Sequence, residues 1–258
     1  MKRWSWLSLV FLVVVSAGPA LAASPFELRR GSDASSDRNI LSSSTDTLPA
    51  GGVALNDYQL IFAGVSYGVT DNLQASFTTL LPIVRDFPLV GALSLKARLL
   101  ETQRVALALM PSVIFGTQGG DRAGSLGLEA ICELSLDPEG RFFLSGGFAA
   151  HNVFAGNELD GLQTADGMLL SPFVGFSGRL AKHMKLLAEL SLPLVADWNH
   201  GGFQRPEVID VNYGVRFFGK SLAVDLSFIR PVLLSGDLQD DFEYLVMGIP
   251  YLSFTYRF

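Results

Sequence analysis

Three histidines, His151, His183 and His200, are the side chains of this 258-residue chain best suited to exchange a proton near neutral pH. A histidine acts as a general base only within hydrogen-bond reach of the nucleophile it activates. His151 ends an alternating run and shares a face with Ser145. A serine two residues away on the same strand would lie beside it on that face. The sequence His151-Asn152-Val153 lacks that His-x-Ser spacing. A serine from a neighbouring run, such as Ser171, could take its place; otherwise His151 is an ordinary residue at the rim of a sheet. His183 falls in a tight turn. His200 falls in a loop after Asp197-Trp198-Asn199, and neither is spaced to another His or Cys as a metal ligand would be. No catalytic residue, metal site or cofactor is assigned on this basis.

Carboxylates offer a second chemistry. Glu158, Asp160, Asp166, Asp197, Asp237, Asp240, Asp241 and Glu243 gather in the connecting segments. Asp240-Asp241 with Glu243 presents the oxygen ligands that a hard divalent cation prefers. No calcium-loop pattern is present, so the run reads as a solvated acidic rim.

A third group of charges is spread along otherwise apolar runs: Lys96, Arg98, Glu129, Glu133, Arg179, Lys185, Glu189, Asp210, Arg216, Asp225 and Arg257. Their placement depends on the elements that carry them. From Asn39 onward, short alternating runs separated by turn residues predict twelve β-strands. They cover 39–47, 53–69, 73–81, 92–100, 105–117, 123–136, 142–152, 167–180, 185–195, 207–218, 222–231 and 245–258. Period two puts successive side chains on opposite faces. Ile209, Val211, Tyr213, Val215 and Phe217 oppose Asp210, Asn212, Gly214 and Arg216. Leu222, Val224, Leu226 and Phe228 oppose Asp225 and Ser227. Leu93, Leu95, Ala97 and Leu99 oppose Lys96 and Arg98, and Leu126 to Leu136 sets Cys132 and its apolar neighbours against Glu129 and Glu133. The run 53–69 changes phase near Gly64, which predicts a bulge there.

Connections alternate between tight (70–72, 101–104, 137–141, 181–184, 219–221) and mostly longer ones (82–91, 118–122, 153–166, 196–206, 232–244). The chain closes on Leu252, Phe254, Tyr256 and Phe258, one apolar face of a final strand. Lys2-Arg3, an uncharged run from Leu7 to Val15 and Ala20-Leu-Ala22-Ala23 form a secretory signal peptide over 1–23. Its apolar run falls short of the ~20 residues that a membrane helix needs.

Hydrophobic residues make up 49% of the chain and charged residues 17%. That charge content is low against the ~25% usual for soluble domains. Removing Lys2 and Arg3 leaves 17 basic against 25 acidic side chains, a formal charge of −8. Such a surface lacks the basic footprint of a nucleic-acid binder. Cys132 is the only cysteine, which excludes an intramolecular disulfide. An apolar–polar alternation with short and long connections is the pattern of a transmembrane β-barrel, apolar face to lipid and polar face to the lumen. The expected fold is all-β: a signal peptide at 1–23, a periplasmic N-terminal segment at 24–38, and a single antiparallel barrel of about twelve strands over 39–258.

Leu48-Pro49, Gly51-Gly52, the segment Gly64-Val-Ser-Tyr67-Gly68-Val69-Thr70-Asp71-Asn72-Leu73 and the aromatic C-terminus resemble a group of uncharacterised Gram-negative outer-membrane β-barrel proteins, porin-like in style. The resemblance implies residence in the outer membrane among lipid and lipopolysaccharide. It also implies that Leu252, Phe254, Tyr256 and Phe258 are the signal read by the barrel-assembly machinery. It assigns no catalytic residue and no solute.

In such a barrel the eleven dispersed charges face the lumen, six basic and five acidic. Near balance predicts ion pairs across the lumen, because an unpaired charge in low dielectric is costly. The expected function is a narrow or plugged channel, or a structural barrel without catalysis. The alternative is a hydrolase that modifies lipid from the barrel's rim.

Overall fold

The chain is described here by a computed structural model over residues 23–258, apart from 82–87, 119–120, 158–160, 198–201, 204–205, 207 and 235–246. All but the last residue of the signal segment lies outside the described residues. So do His200, Glu158, Asp160 and the acidic run 237–243.

After a short helix α1 (Pro25–Arg30), the chain forms β1 (Val53–Tyr58), β2 (Phe62–Thr70), β3 (Leu73–Leu80), β4 (Leu89–Glu101), β5 (Val105–Gln118), β6 (Asp121–Ser135) and β7 (Phe142–Asn157). Then come β8 (Gly161–Ala181), β9 (Met184–Ser191), β10 (Leu194–Asp197), β11 (Gly202–Phe203), β12 (Val208–Phe218), β13 (Leu222–Leu233) and β14 (Ile249–Arg257). Each strand pairs antiparallel with its neighbour. β1 pairs with β14, and β8 pairs with both β7 and β9, so β1–β9 with β12–β14 close into a twelve-stranded barrel. β10 continues β9 alongside β8 beyond Leu192-Pro193, and β11 is an extra strand hydrogen-bonded to β10. Closure gives each of the twelve barrel strands a partner on both sides, which is the condition for a sheet to sit in lipid.

The alternation sorts the faces. Leu93, Leu95, Leu126, Leu128, Leu186, Leu190, Phe217, Leu222 and Leu226 are exposed on the outside, while Lys96, Glu133, Lys185, Glu189, Asn212, Arg216 and Asp225 are buried within. A soluble sheet would bury the first set and expose the second. This one is apolar outward and polar inward, so it is built for a hydrocarbon surround. Cys132 is exposed, in register with Leu107 of the outer wall.

Two departures from the sequence reading concern the first strands, and they offset each other in the count. Residues 39–47 form no strand; their one ladder contact is the isolated bridge Arg38–Ser43. The run 53–69 is two strands, β1 and β2, joined at Gln59-Leu60, both at positive φ (60° and 62°). The phase change near Gly64 is therefore a hairpin and not a bulge. Successive positive φ values suit a hairpin turn of the primed type, which normally carries Asn or Gly. Here Ile61 N donates to Tyr58 O at 3.2 Å and Leu60 N to Asp57 Oδ1 at 2.9 Å, holding a turn that the residue types do not announce.

The segment before β1 runs inside the barrel. Ser24 and Glu27 form a reciprocal capping box on α1, with Pro25 in the first turn. Six residues make too short a helix to persist alone. It is held by Phe26 packed with Phe143 and Ala106 of the wall. The chain then climbs to a tight reversal at 39–42, where Ile40 packs on Leu187 and Tyr251. It returns to leave the lumen at Leu48–Gly52. That exit lies at the short-turn end, since Gly51 N donates to Gly68 O at 2.8 Å and Ala50 N to Asp71 Oδ1 at 2.9 Å. A Cβ on Gly68 would overlap the carbonyls of Leu48 and Pro49. The Tyr67-Gly68-Val69-Thr70-Asp71-Asn72 motif is thus the seat of the segment's exit. We refer to residues 24–48 as the plug.

The sidedness can be measured directly. Leu226 lies in mid-strand on the outer wall, 48% exposed. We expect Leu226→Arg to lower the stability of the barrel in bilayers by ~2–4 kcal/mol and Leu226→Phe to leave it nearly unchanged. Urea unfolding followed by the heat-sensitive gel mobility of folded barrels measures both.

Candidate functional site

The candidate site is the contact between the plug and the inner wall. Helix α1 presents Arg29 at the centre of the lumen's short-turn half. Its guanidinium donates through Nη1 and Nη2 to the two oxygens of Glu133 on β6, at 2.9 and 2.7 Å. Its Nε donates to Asp46 Oδ2 at 2.7 Å. A planar fork matched to a carboxylate gives both energy and geometry. The same guanidinium lies over the Phe143 ring, 4.1 Å from its centroid. Thr45 completes Glu133 from the returning strand, donating from both its backbone N–H (2.9 Å) and its hydroxyl.

A second knot forms on the opposite wall. Arg216 on β12 is fully buried. It pairs with Asp225 in register on β13 and donates to the carbonyls of Ser35, Arg38 and Asn39 at the top of the plug. Arg38 of the plug donates to Ser253 Oγ at 2.9 Å and Thr255 Oγ1 at 3.0 Å on β14. It also lies 4.7 Å from the centroid of Tyr58. Lys185 on β9 pairs with Asp33, and Lys96 on β4 donates to the carbonyls of Asp37 and Asp46.

At the plug's tip the polarity reverses, with wall carboxylates gripping plug amides. Glu189 on β9 accepts from Ser42 N at 3.0 Å and Ser42 Oγ at 2.7 Å. Glu129 on β6 accepts from Ser43 N at 3.1 Å. Arg179 donates to Ser32 Oγ at 3.0 Å and stacks on Phe218. Arg257 donates to Arg30 O at 2.8 Å. Arg98 donates to Asp71 O and Asn72 Oδ1 in the β2–β3 turn. Asp210 lies opposite Ser191 and Pro231 nearer the long loops, and has no plug partner among the described residues.

The wall charges therefore do not pair across an open lumen, as their balance had suggested. Apart from the neighbouring Arg216–Asp225 pair, most meet the plug. The plug residues Arg29, Arg30, Asp33 and Arg38 belonged to no alternating run, Asp46 fell in the run 39–47 that forms no strand, and the sequence reading singled out none of them. A usable signal was the capping box followed by charges inside a Ser- and Thr-rich stretch.

The fields inside the site follow from these contacts. Burial favours the neutral acid at Asp33, but Lys185 and Arg216 hold it well below the usual carboxylate range. Burial acts the same way on Asp46, and Arg29 and Arg30 hold it below that range. Burial disfavours the Arg29 cation, yet Asp46 and Glu133 keep it above its ordinary value. The plug is docked as a set of ions.

His151 faces the lumen above the plug, where its Nδ1 lies 3.5 Å from Ser125 Oγ on β6, at the limit of a hydrogen bond. Ser145 is taken by Asn39 Nδ2 of the plug at 3.2 Å. Among the described residues, no carboxylate orients His151. His183 contacts Phe218 O at 3.1 Å within its turn. Also among the described residues, no group of three His, Cys, Asp or Glu side chains is placed to hold a metal ion. Leu252, Phe254 and Tyr256 lie on the outer face of β14, Tyr256 and Phe258 meet edge to face at 4.9 Å, and Phe258 N closes on Val53 O at 3.0 Å.

These observations define the class: a transmembrane β-barrel of twelve strands with an internal N-terminal plug. No protein-family model and no curated sequence matches the chain. Solved structures with a similar fold include the KdgM porin, at 8% identity and a TM-score of 0.46 over 80% of this chain and 99% of that one. A bacterial polysaccharide outer membrane secretin is similar at 10% identity and a TM-score of 0.48, over 83% of this chain and 77% of that one. The NanC porin is similar at 5% identity and 0.41, over 80% and 97%. No site residue transfers at such identities.

Breaking one side of the central fork should release the plug while the barrel stays closed. Removing a partner from a buried ion pair costs ~3–5 kcal/mol, because it strands the other charge. We expect Glu133→Ala to make residues 24–48 sensitive to protease, read by mass spectrometry of the fragments, with the barrel's gel mobility unchanged.

Acid should act in the same direction. Asp33 and Asp46 are depressed when docked, so they favour docking above the free carboxylate pKa of ~3.9 and lose that effect as pH falls through it toward their docked values. Protease sensitivity of the plug should therefore be constant from neutral pH down to ~5 and rise below ~4.

Proposed function

We propose that this chain is an outer-membrane channel, without catalysis, whose own N-terminal segment closes the periplasmic end of the lumen. The single observation that carries this is the bonding of wall charges from β4, β6, β9, β12, β13 and β14 to residues 29–46. Short turns lie on the periplasmic side of such barrels, and the plug enters and leaves at that end.

The contacts suit a displaceable closure. They are polar and ionic, and each partner can be rehydrated when the plug withdraws. A packed apolar core would resist that change much more. With the plug removed, the wall presents Lys96, Arg98, Arg179, Lys185, Arg216 and Arg257 against Glu129, Glu133, Glu189, Asp210 and Asp225. This near balance supports weak selectivity between cations and anions.

Lipid hydrolysis is disfavoured by orientation. His151 and Ser125 point into the lumen, and membrane lipid meets the other face of the same strands. We therefore propose no enzymatic activity and no cofactor.

Single-channel recording in planar bilayers tests the closure. The intact protein should conduct poorly, and deletion of residues 24–48 should raise conductance several-fold. A disulfide between Ser35→Cys and Thr255→Cys, whose oxygens lie 3.2 Å apart, should hold conductance low until it is reduced. Neutralising Glu129 and Glu133 together in the deleted form should shift permeation toward anions. A large conductance in the intact, oxidised protein would refute the closure. Phospholipid hydrolysis lost in His151→Ala would establish an enzyme instead.

A further inference from the structure

Beside the plug, at the short-turn mouth, an open recess of about 350 Å³ is bounded by Glu27 and Arg30 of α1, Thr47 on the returning segment, Asp71 in the β2–β3 turn, and Arg98 and Arg257 of the wall. Three guanidiniums thus converge on one space. Their bonding is incomplete. Arg98 Nη1 and Arg257 Nε are both buried and have no hydrogen-bond acceptor. Arg98 Nη1 lies 3.1 Å from Glu101 Oε2, too far out of line to count as a hydrogen bond.

The carboxylates nearby are each partly engaged elsewhere. Glu101 accepts from Arg30 Nη1 at 2.7 Å and Nη2 at 3.1 Å, so Arg98 has only a share of it. Glu27 accepts from Ser24 N at 2.9 Å, and Asp71 Oδ1 from Ala50 N at 2.9 Å. Among the described residues Arg257 meets no carboxylate: its Nη1 donates to Arg30 O, and its Nη2 lies 3.5 Å from Ser36 Oγ. The recess is thus bordered by two spare, buried, cationic N–H donors, while Glu27 and Asp71 at its edge each keep one carboxylate oxygen without a hydrogen bond. A buried donor left unmade is costly, and more so when it carries charge. An oxyanion supplies the missing acceptors. Guanidinium matches the spaced oxygens of phosphate better than any other side chain does.

We propose that the recess between Arg30, Arg98 and Arg257 binds a small soluble phosphate or phosphomonoester at the periplasmic mouth. Phosphate-bearing lipid headgroups share the chemistry. They approach the outer face of the wall, however, whereas Arg98 and Arg257 turn inward to the plug. The site belongs to the docked form, in which the plug supplies Arg30 and Thr47 to it, and its test does not require the plug to move.

Calorimetric titration of the intact folded protein in a zwitterionic detergent with inorganic phosphate is the test. Saturable binding at millimolar phosphate or below is expected. Arg98→Gln and Arg257→Gln should each weaken it about tenfold or more. Lys220→Gln, an exposed change at the same rim and outside the recess, should leave it unchanged. Phosphate should also protect Arg98 and Arg257 of the unaltered protein from phenylglyoxal, read peptide by peptide. That measurement stands even where a variant fails to fold.

Absence of saturable binding and protection in the unaltered protein would overturn the proposal. So would equal weakening by Lys220→Gln, which would mark a diffuse charge effect. Protection seen only in nanodiscs of anionic phospholipid, and not with free phosphate, would reject the soluble ligand in favour of a headgroup.

Discussion

An ion inside a barrel has to be matched, because the lumen of a closed sheet is poorly solvated wherever it is filled and an unpaired charge there is strongly destabilising. Arg216 shows the constraint at full strength. It has no exposed surface, and its donors are divided between Asp225 and three backbone carbonyls of the plug. Remove the plug, and Arg216 keeps one carboxylate but loses the carbonyls. The same holds for Glu133, which takes two donors from Arg29 and two from Thr45. The wall and the plug are each incomplete, and the docked form is the one in which both are satisfied.

This dependence explains the plug's composition. Residues 32–47 contain Ser32, Ser35, Ser36, Ser42, Ser43, Ser44, Thr45 and Thr47, and few large apolar side chains. Such a segment cannot bury enough apolar surface to fold alone. Inside the barrel it need not, because each short hydroxyl reaches a wall group or a neighbouring backbone group. The apolar contacts are small and separate: Phe26 with Phe143, Ala34 with Phe218, Ile40 with Leu187 and Tyr251. They locate the segment in three places, and the ionic contacts fix its register between them.

The two halves of the lumen consequently differ. The short-turn half is crowded with ions in fixed pairs. Beyond the plug's tip, Ser125 Oγ on β6 lies 3.5 Å from His151 Nδ1.

The sequence by itself determined the barrel. Alternation fixed which residues face lipid, as Leu126, Leu222 and Leu226 on one side and Glu133, Arg216 and Asp225 on the other show, because period two is a local property of an extended chain. It did not reveal the Gln59-Leu60 hairpin, whose positive φ values are imposed by pairing of β1 with β2 and β14, and not by residue type. Nor did it reveal what the lumen charges bind. The plug partners of Glu133 and Arg216 lie up to 104 and 181 positions away, in a segment that forms no strand. Only closure of the sheet brings those positions within hydrogen-bond distance, so the plug and its site are properties of the tertiary structure.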